Sequence, residues 1–497
     1  MVLVLDVSLI SGRSVSLEAD DEASVESLKR QAHVALGVRR GRLLNSSGDV
    51  LDGGTSLKKA RLVSGDALIL QISELQIWGN TCCRFGNLAF AAILGDGSVL
   101  TWGKADGGGD SSKVKDQLKN VRQIQATKDA FAAILVDGSV VTWGYAGAGG
   151  DSSKVQKQLK GVRQIQASLR AFAAILGDGC VVTWGSADAG GNSSIFQKQL
   201  KKVKQVQASL FAFAAILDDG SVVTWGNPEY GGDSSRVQEQ LKSVRHIQAS
   251  DAAFAAILSD GSVVTWGSRH RGGDSSKVRE QLKNVQQIQA TEEAFAAILE
   301  DGSVVTWGHI GNGGDSSNVQ KQLKDVRQIQ ASGDAFAAIL VDGSVVTWGD
   351  AAAGGDSSNV QKQLNNVKQI QANLLAFAAI LDDGSVVTWG NPGYGGDSTE
   401  VQEQLKNVQC IQATRGAFAA ILDDGSVVTW GKADCGGDSG KVQKQLANVR
   451  RIQAARGAFA AIRGDGFVVT WGQADGGGDS SSVQELLRPH ADSASCH

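Results

Sequence analysis

Side chains able to bind a metal ion recur once in each of ten similar segments of the sequence. An aspartate follows a glycine pair in nine of these segments, from Asp110 to Asp479, and Asn192 replaces it in the tenth. A calcium site in a protein needs about six to eight oxygen ligands, whereas each loop offers only one such recurrent carboxylate. We therefore expect these aspartates to cap short helical turns, with Asp233 representative of the set.

Histidine and cysteine also lack the spacing of a catalytic or metal site. The six histidines are scattered, and none recurs at a fixed distance from a nucleophile. Of the six cysteines only Cys82 and Cys83 are close in sequence, which predicts neither a disulfide framework nor a zinc site. The G-D-G-S segments open into strands rather than helices, unlike phosphate-binding loops. The sequence therefore predicts no catalytic residue, no cofactor site and no metal site.

Ten tryptophans recur with a constant spacing of 41 residues. A fixed period of this kind predicts a repeat architecture, in which each unit packs against its neighbours. We expect the tryptophan rings to pack between units rather than to form a ligand site. The set comprises Trp102, Trp143, Trp184, Trp225, Trp266, Trp307, Trp348, Trp389, Trp430 and Trp471.

Each repeat unit predicts three β-strands, which we name A, B and C. Strand A has the sequence QIQA or a close variant of it, strand B reads AFAAIL and strand C reads SVVTWG in most units. An Asp-Gly pair joins strand B to strand C in all ten units, from Asp96-Gly97 to Asp465-Gly466. This dipeptide predicts a type I′ turn, in which both central residues have positive φ.

The A-x-x-x-D-G-x-V-x-x-W-G core and the small-residue loop after it resemble the repeats of the regulator of chromosome condensation family. They are most similar to the short-blade form of a propeller-type β-lactamase inhibitor, and the resemblance covers residues 75–485. It implies a mainly β fold, a propeller or propeller-like array of about ten three-stranded units. Because that family typically closes seven blades, three arrangements stay open: one wider ring, a seven-blade ring with extra units, or an open spiral.

Residues 1–73 differ from the repeats and predict a small α+β domain. Two alternating strands precede a helix in ASVESLKRQAHVALG, with Ser24 as N-cap and Gly37 as C-cap, and two more strands follow it. This ββαββ order resembles ubiquitin, a β-grasp fold, although the chain continues where ubiquitin ends in a diglycine. Leu44 matches a residue of that family's binding face, whereas Gln71 stands where the family has an aliphatic residue.

We therefore predict three parts of the chain. Residues 1–73 form a ubiquitin-like domain, residues 74–485 form the repeat domain, and residues 486–497 form a polar C-terminal tail. The net charge of −4 gives no indication of a nucleic-acid partner. The sequence has no apolar run long enough to span a membrane, so we expect no membrane partner. We expect an intracellular protein of the cytoplasm, with the nucleus as the alternative.

Variation among the repeats is confined to two stretches, a residue pair between strands A and B and four residues after strand C. Strand directions place both stretches at the same end of the sheets, where binding loops on rigid scaffolds reside. All three tyrosines fall in this set, and tyrosine is a frequent interface anchor. The predicted protein-binding residues are Tyr145, Leu169, Leu210, Phe211, Tyr230, Leu374, Leu375 and Tyr394.

These observations predict a non-enzymatic protein-binding scaffold without a cofactor. The resemblance to ubiquitin implies partners in the ubiquitin pathway. One alternative is the substrate-recognition component of a ubiquitin ligase. Another is guanine nucleotide exchange on a small GTPase, the activity of the founding member of the propeller family.

Overall fold

The N-terminal part of the computed structural model, which describes residues 1–38, 41–79 and 89–487, is a small α+β domain. Its elements are β1 (Val2–Ser8), β2 (Ser14–Asp20), α1 (Val25–Leu36), β3 (Arg42–Leu44) and β4 (Ala67–Gln71). The sheet order is β2-β1-β4-β3, with β1 and β4 parallel. Ser24 and Gly37 cap α1 as predicted, since the Ser24 side chain accepts from the Ser27 amide and Gly37 has a φ of 59°.

The rest of the described chain consists of ten three-stranded antiparallel sheets, each built from consecutive strands A, B and C, and we call them blades 1 to 10. This confirms the predicted mainly β array of ten repeats. The strands of blades 1 to 5 are Gln76–Gly79, Ala89–Ile93 and Val99–Gly103; Val121–Ala126, Ala130–Leu135 and Val140–Gly144; Val162–Ala167, Ala171–Leu176 and Val181–Gly185; Val203–Ala208, Ala212–Leu217 and Val222–Gly226; Val244–Ala249, Ala253–Leu258 and Val263–Gly267. Those of blades 6 to 10 are Val285–Ala290, Ala294–Leu299 and Val304–Gly308; Val326–Ala331, Ala335–Leu340 and Val345–Gly349; Val367–Ala372, Ala376–Leu381 and Val386–Gly390; Val408–Ala413, Ala417–Leu422 and Val427–Gly431; Val449–Ala454, Ala458–Arg463 and Val468–Gly472.

Short helical segments follow strand C in each unit. A 3₁₀ turn covers the variable residues after the tryptophan, at Ala105–Gly107, Ala146–Ala148, Ala187–Ala189, Pro228–Tyr230, Arg269–Arg271, Ile310–Asn312, Ala351–Ala353, Pro392–Tyr394, Ala433–Cys435 and Ala474–Gly476. A second 3₁₀ turn precedes the next strand A at Ser112–Gln117, Gln156–Gln158, Ser194–Phe196, Gln238–Gln240, Gln361–Gln363, Gln402–Gln404 and Gln443–Gln445, and the short helix α2 (Gln484–Leu487) ends the described chain.

The ten blades close into one ring, because blade 1 packs directly against blade 10. A single hydrophobic cluster joins Ile77, Phe90 and Trp102 of blade 1 to Ala458 and Val468 of blade 10. The Trp102 indole N–H donates to the carbonyl oxygen of Gly477 at 3.0 Å, although these residues lie 375 positions apart in sequence. Of the three arrangements that the sequence leaves open, the structure is the single wider ring.

A buried tryptophan joins every blade to the one before it. The Trp266 ring stacks on Phe254 of its own blade at 5.3 Å, and its indole N–H donates to the Gly231 carbonyl oxygen of the preceding unit at 3.0 Å. Gly231 has a φ of 91°, and a Cβ there would lie 2.5 Å from the Phe254 ring. Only glycine allows this close approach, which explains the glycine pair after each strand C.

The Asp-Gly turns differ from the predicted type I′ geometry. Gly220 has positive φ and Asp219 does not. The Gly220 amide donates to the Leu217 carbonyl oxygen at 3.0 Å, and the Leu217 amide donates to the Ser221 carbonyl oxygen at 2.9 Å. This pattern is a three-residue loop, a type I turn followed by a left-handed glycine. Two donors from Ser221, its hydroxyl and its amide, hold the pKa of Asp219 below its ordinary value.

The aspartates after the glycine pairs do not begin the helical turn as predicted. Asp233 Oδ1 accepts from the Ser235 amide at 2.9 Å, whereas the turn begins at Gln238 and lacks a side-chain cap. The carboxylate thus stabilises a local turn by accepting from the amide two residues later, and it does not cap a helix. The backbone and side-chain donors of Ser235 lower the pKa of Asp233.

The N-terminal domain docks on the face of the ring that carries the Asp-Gly turns, which we call the constant face. Arg42 donates from Nε to the Asp96 carbonyl oxygen at 3.3 Å and from Nη2 to the Val121 carbonyl oxygen at 3.1 Å. Within the ring, Arg122 makes the same type of bond from Nη2 to the Val162 carbonyl oxygen of the next blade. Leu75 occupies the corresponding position of blade 1. Arg42 therefore supplies the guanidinium that blade 1 lacks.

Replacing Trp266 with alanine should lower the free energy of unfolding by about 3–5 kcal/mol, because it leaves a cavity between two blades. Urea denaturation followed by circular dichroism measures the loss. Tyr145→Ala is the matched control, since that ring is 57% exposed and its removal should cost less than about 0.5 kcal/mol. Equal losses in the two variants would contradict a structural role for Trp266.

Replacing Arg42 with methionine should release the N-terminal domain from the ring, because both charge-assisted hydrogen bonds are lost. Cleavage after the exposed Glu74 by a glutamate-specific protease should accelerate at least about tenfold, since even one such bond contributes about 1.5–3 kcal/mol. Arg13→Met, at an exposed site, is the control. An unchanged cleavage rate in the Arg42 variant would show that other contacts hold the domain.

Candidate functional site

The first members of the variable pairs between strands A and B surround the axis of the ring. In each pair the backbone amide donates to the equivalent carbonyl oxygen of the next blade, at 2.9–3.3 Å. The described donors are the amides of Lys128, Leu169, Leu210, Asp251, Glu292, Gly333, Leu374 and Arg415, and Arg456 accepts the last bond. These backbone hydrogen bonds form with any residue type at the first position of the pair, so the residue can vary there while the circle is kept.

The second variable stretch lies beside the first. The Asn227 amide donates to the Phe211 carbonyl oxygen at 2.9 Å, and Ser209 Oγ donates to the Tyr230 carbonyl oxygen at 2.8 Å. The Phe211 and Tyr230 rings meet edge to face, with centroids 4.7 Å apart. Both variable stretches therefore occupy one face of the ring, opposite the Asp-Gly turns, and we call it the variable face.

The predicted binding residues separate into an inner and an outer group on the variable face. Leu169, Leu210 and Leu374 line the cavity on the axis, and Leu169 is the most deeply buried of them at 4% exposure. The outer group comprises Phe211, Tyr230, Leu375 and Tyr394, all half-buried against the blade cores, and the exposed Tyr145. Their role in binding a partner stays a prediction.

A cavity of about 450 Å³ opens at the centre of the variable face, and we call it the axial cavity. Small residues such as Ala208 and Ser209 form its wall, together with first members of the variable pairs from blades 3 to 10. Its volume lies within the range of about 300–1,000 Å³ typical of small-ligand pockets. The cavity can therefore hold a group of several side chains.

Charge is distributed unevenly around the axial cavity. Asp251 and Glu292 lie in neighbouring blades 5 and 6, and Arg415 and Arg456 lie in neighbouring blades 9 and 10. Burial and then the charge of Arg415 lower the pKa of Arg456. The Arg415 Nε atom is buried and has no hydrogen-bond partner among the described residues.

The protein-binding residues predicted from the sequence do not include Arg415 and Arg456. The predicted protein-binding residues are aromatic or aliphatic members of the two variable stretches, and none of them is charged. Their position in the repeat could have identified the two arginines. Arg415 and Arg456 are the first members of consecutive variable pairs, the same position that Leu210 has in its pair. The first members face the axis, so like charges in adjacent repeats meet there.

Metal-ligating side chains are dispersed in the described part of the chain. Within residues 1–38, 41–79 and 89–487, no group of three or more His, Cys, Asp and Glu side chains is arranged to hold a metal ion. Cys180, Cys410 and Cys435 are free thiols, and burial raises the pKa of Cys410 and Cys435. Cys82, Cys83 and Cys496 lie outside the described residues. The helices described here are all too short or too polar to span a membrane.

Comparison with known proteins gives matches among solved structures. No family model and no curated protein matches the chain. Prp20p from Saccharomyces cerevisiae, described for its binding to Gsp1p and histones, is 15% identical, with a TM-score of 0.32 over 57% of this chain and 83% of Prp20p. The CRINKLY ectodomain of the Arabidopsis thaliana receptor kinase ACR4 is 18% identical, with a TM-score of 0.29 over 53% of this chain and 93% of the ectodomain. A designed protein based on ubiquitin is 21% identical, with a TM-score of 0.13 over 14% of this chain and 85% of the design.

Proposed function

We propose that this chain is a non-enzymatic protein-binding scaffold and that the variable face is its docking surface. The observation that carries the proposal is the convergence of the two variable stretches on one face, whereas the opposite face is built from repeated Asp-Gly turns. Rigid scaffolds commonly bind partners through loops that vary on a fixed framework. The constant face already holds the N-terminal domain through Arg42.

The outer group of the variable face has the properties of interface anchors. The Phe211–Tyr230 pair presents two half-buried rings on one side of the ring, and Leu375 with Tyr394 forms the equivalent pair four blades away. Aromatic rings held by the scaffold add contact area at a small cost in side-chain entropy. Two such pairs suit a partner broad enough to contact blades on both sides of the axis.

Removing the aromatic and aliphatic side chains of the outer group should abolish partner capture. The double variants Phe211→Ala/Tyr230→Ala and Leu375→Ala/Tyr394→Ala should each reduce cross-linked partner, quantified by mass spectrometry, by at least about tenfold. Val136→Ala/Val341→Ala is the matched control, because these side chains are 50% and 69% exposed beside Asp-Gly turns. Thermal melting of each variant separates lost binding from lost folding.

Partner capture that survives both double variants of the outer group would contradict a docking role for the variable face. Loss of capture in the Val136/Val341 control would contradict it as well. The identity of the captured protein also separates the alternatives predicted from the sequence. A captured small GTPase would be assayed for faster nucleotide release, and ubiquitin-ligase subunits would indicate substrate recognition.

A further inference from the structure

Two arginines from adjacent blades meet at the rim of the axial cavity. The Arg415 amide donates to the Arg456 carbonyl oxygen at 2.9 Å, so the backbone circle places the two residues next to each other. Both side chains line the cavity and are half-buried. Two guanidinium groups held this close repel each other unless an anion lies between them or against them.

The surroundings of Arg415 leave its guanidinium incompletely satisfied. The Nε atom is buried without a hydrogen-bond partner among the described residues, and the acidic residues Asp251 and Glu292 belong to blades 5 and 6, away from the arginines of blades 9 and 10. A buried donor without a partner is costly, and a bound water, ion or ligand that accepts from it would remove that cost. Burial, and after it the charge of Arg415, lower the pKa of Arg456, as expected for two guanidinium groups held close together.

Apolar side chains form part of the axial cavity wall. Leu169, Leu210 and Leu374 project from the same backbone circle, and alanines such as Ala208 and Ala413 also line the cavity, beside polar residues such as Ser209 and Thr414. A fully hydrated inorganic anion gains nothing from these leucines, whereas an aliphatic group attached to a carboxylate would contact both parts of the cavity.

We propose that the axial cavity binds a carboxylate carried next to aliphatic groups, with Arg415 and Arg456 as its anion-binding residues. The proposal rests on the proposed function, because the cavity opens at the centre of the variable face, and it names the chemistry of the segment received there: an acidic residue flanked by aliphatic side chains. Guanidinium groups bind carboxylates through paired N–H donors, which fits two arginines on one side of the cavity. A free aliphatic acid has the same chemistry and is the other source.

The test measures binding of defined probes to the purified full-length chain by ligand-observed saturation-transfer NMR. The probes are acetyl-Leu-Glu-Leu-amide, its neutral counterpart acetyl-Leu-Gln-Leu-amide, the free acid 4-methylpentanoate, and inorganic phosphate. We expect the glutamate peptide to bind about tenfold more tightly than the glutamine peptide, and higher salt to weaken only the former. Tighter binding of the peptide than of the free acid assigns the site to a protein segment, and the reverse assigns it to a small carboxylate.

Arg415→Met and Arg456→Met should remove the preference for glutamate without lowering the melting temperature, since each relieves the repulsion between buried like charges. Arg450→Met is the matched control: Arg450 lies near the start of strand A of blade 10, whereas Arg456 follows the end of that strand, and both carry the same charge. The control should bind like the parent chain.

Three results would overturn the proposal: equal affinity for the two peptides, unchanged binding in both arginine variants, or binding of inorganic phosphate in preference to the organic carboxylates. A drop in melting temperature in both arginine variants would assign the pair a structural role instead. These outcomes are independent of partner capture. If the probes fail to bind but capture of the partner still requires the outer group, only the cavity assignment is overturned. If the probes bind specifically but capture no longer requires the outer group, only the docking surface is overturned.

Discussion

The hydrogen bond from each tryptophan indole to a glycine carbonyl of the preceding unit is the constraint on which the ring depends. A buried indole N–H needs an acceptor, and the glycine pair after strand C brings a backbone carbonyl within 3.0 Å of it. The same glycine must lack a Cβ because the phenylalanine of the next strand B lies against it. Tryptophan, phenylalanine and glycine therefore depend on one another, and their spacing cannot drift from unit to unit.

This constraint also explains where the chain is free to vary. The alanines of strand B pack between blades, strand C carries the tryptophan, and the Asp-Gly glycine contacts the next unit too closely for a side chain, as Gly220 does against Ser243. The pair between strands A and B is joined to the next blade through backbone hydrogen bonds that any residue type can make, and the turn after strand C also varies in residue type. Variation thus collects on one face because the interblade contacts require no particular residue type there. The axial cavity is the point where these variable side chains crowd together.

Sequence patterns predicted the blades well, since a strand period and a constant tryptophan spacing are local signals. Ring closure could not be predicted, because the contacts of Trp102 with Gly477 join segments at opposite ends of the repeat array. The Asp-Gly dipeptide correctly predicted where strands B and C are joined, but the predicted turn type was wrong. The loop has one more residue than predicted, and this depends on how strands B and C pair. Arg42 was missed for a similar reason: its acceptor oxygens belong to another domain. The position of Arg415 and Arg456 on the axis follows from a circle of backbone bonds that the residue types do not reveal.

Hydrogen exchange at the Trp102 indole tests the closed ring most directly. Trp102 makes the bond that joins blade 1 to blade 10, and Trp266 makes the equivalent bond inside the array. In solution NMR, with the signal assigned by a Trp102→Phe variant, the indole proton of Trp102 should exchange within about tenfold of the rate at Trp266, because both are buried in the same type of interface. Fast exchange at Trp102 beside a protected Trp266 would show an open array and contradict the closed ten-blade ring.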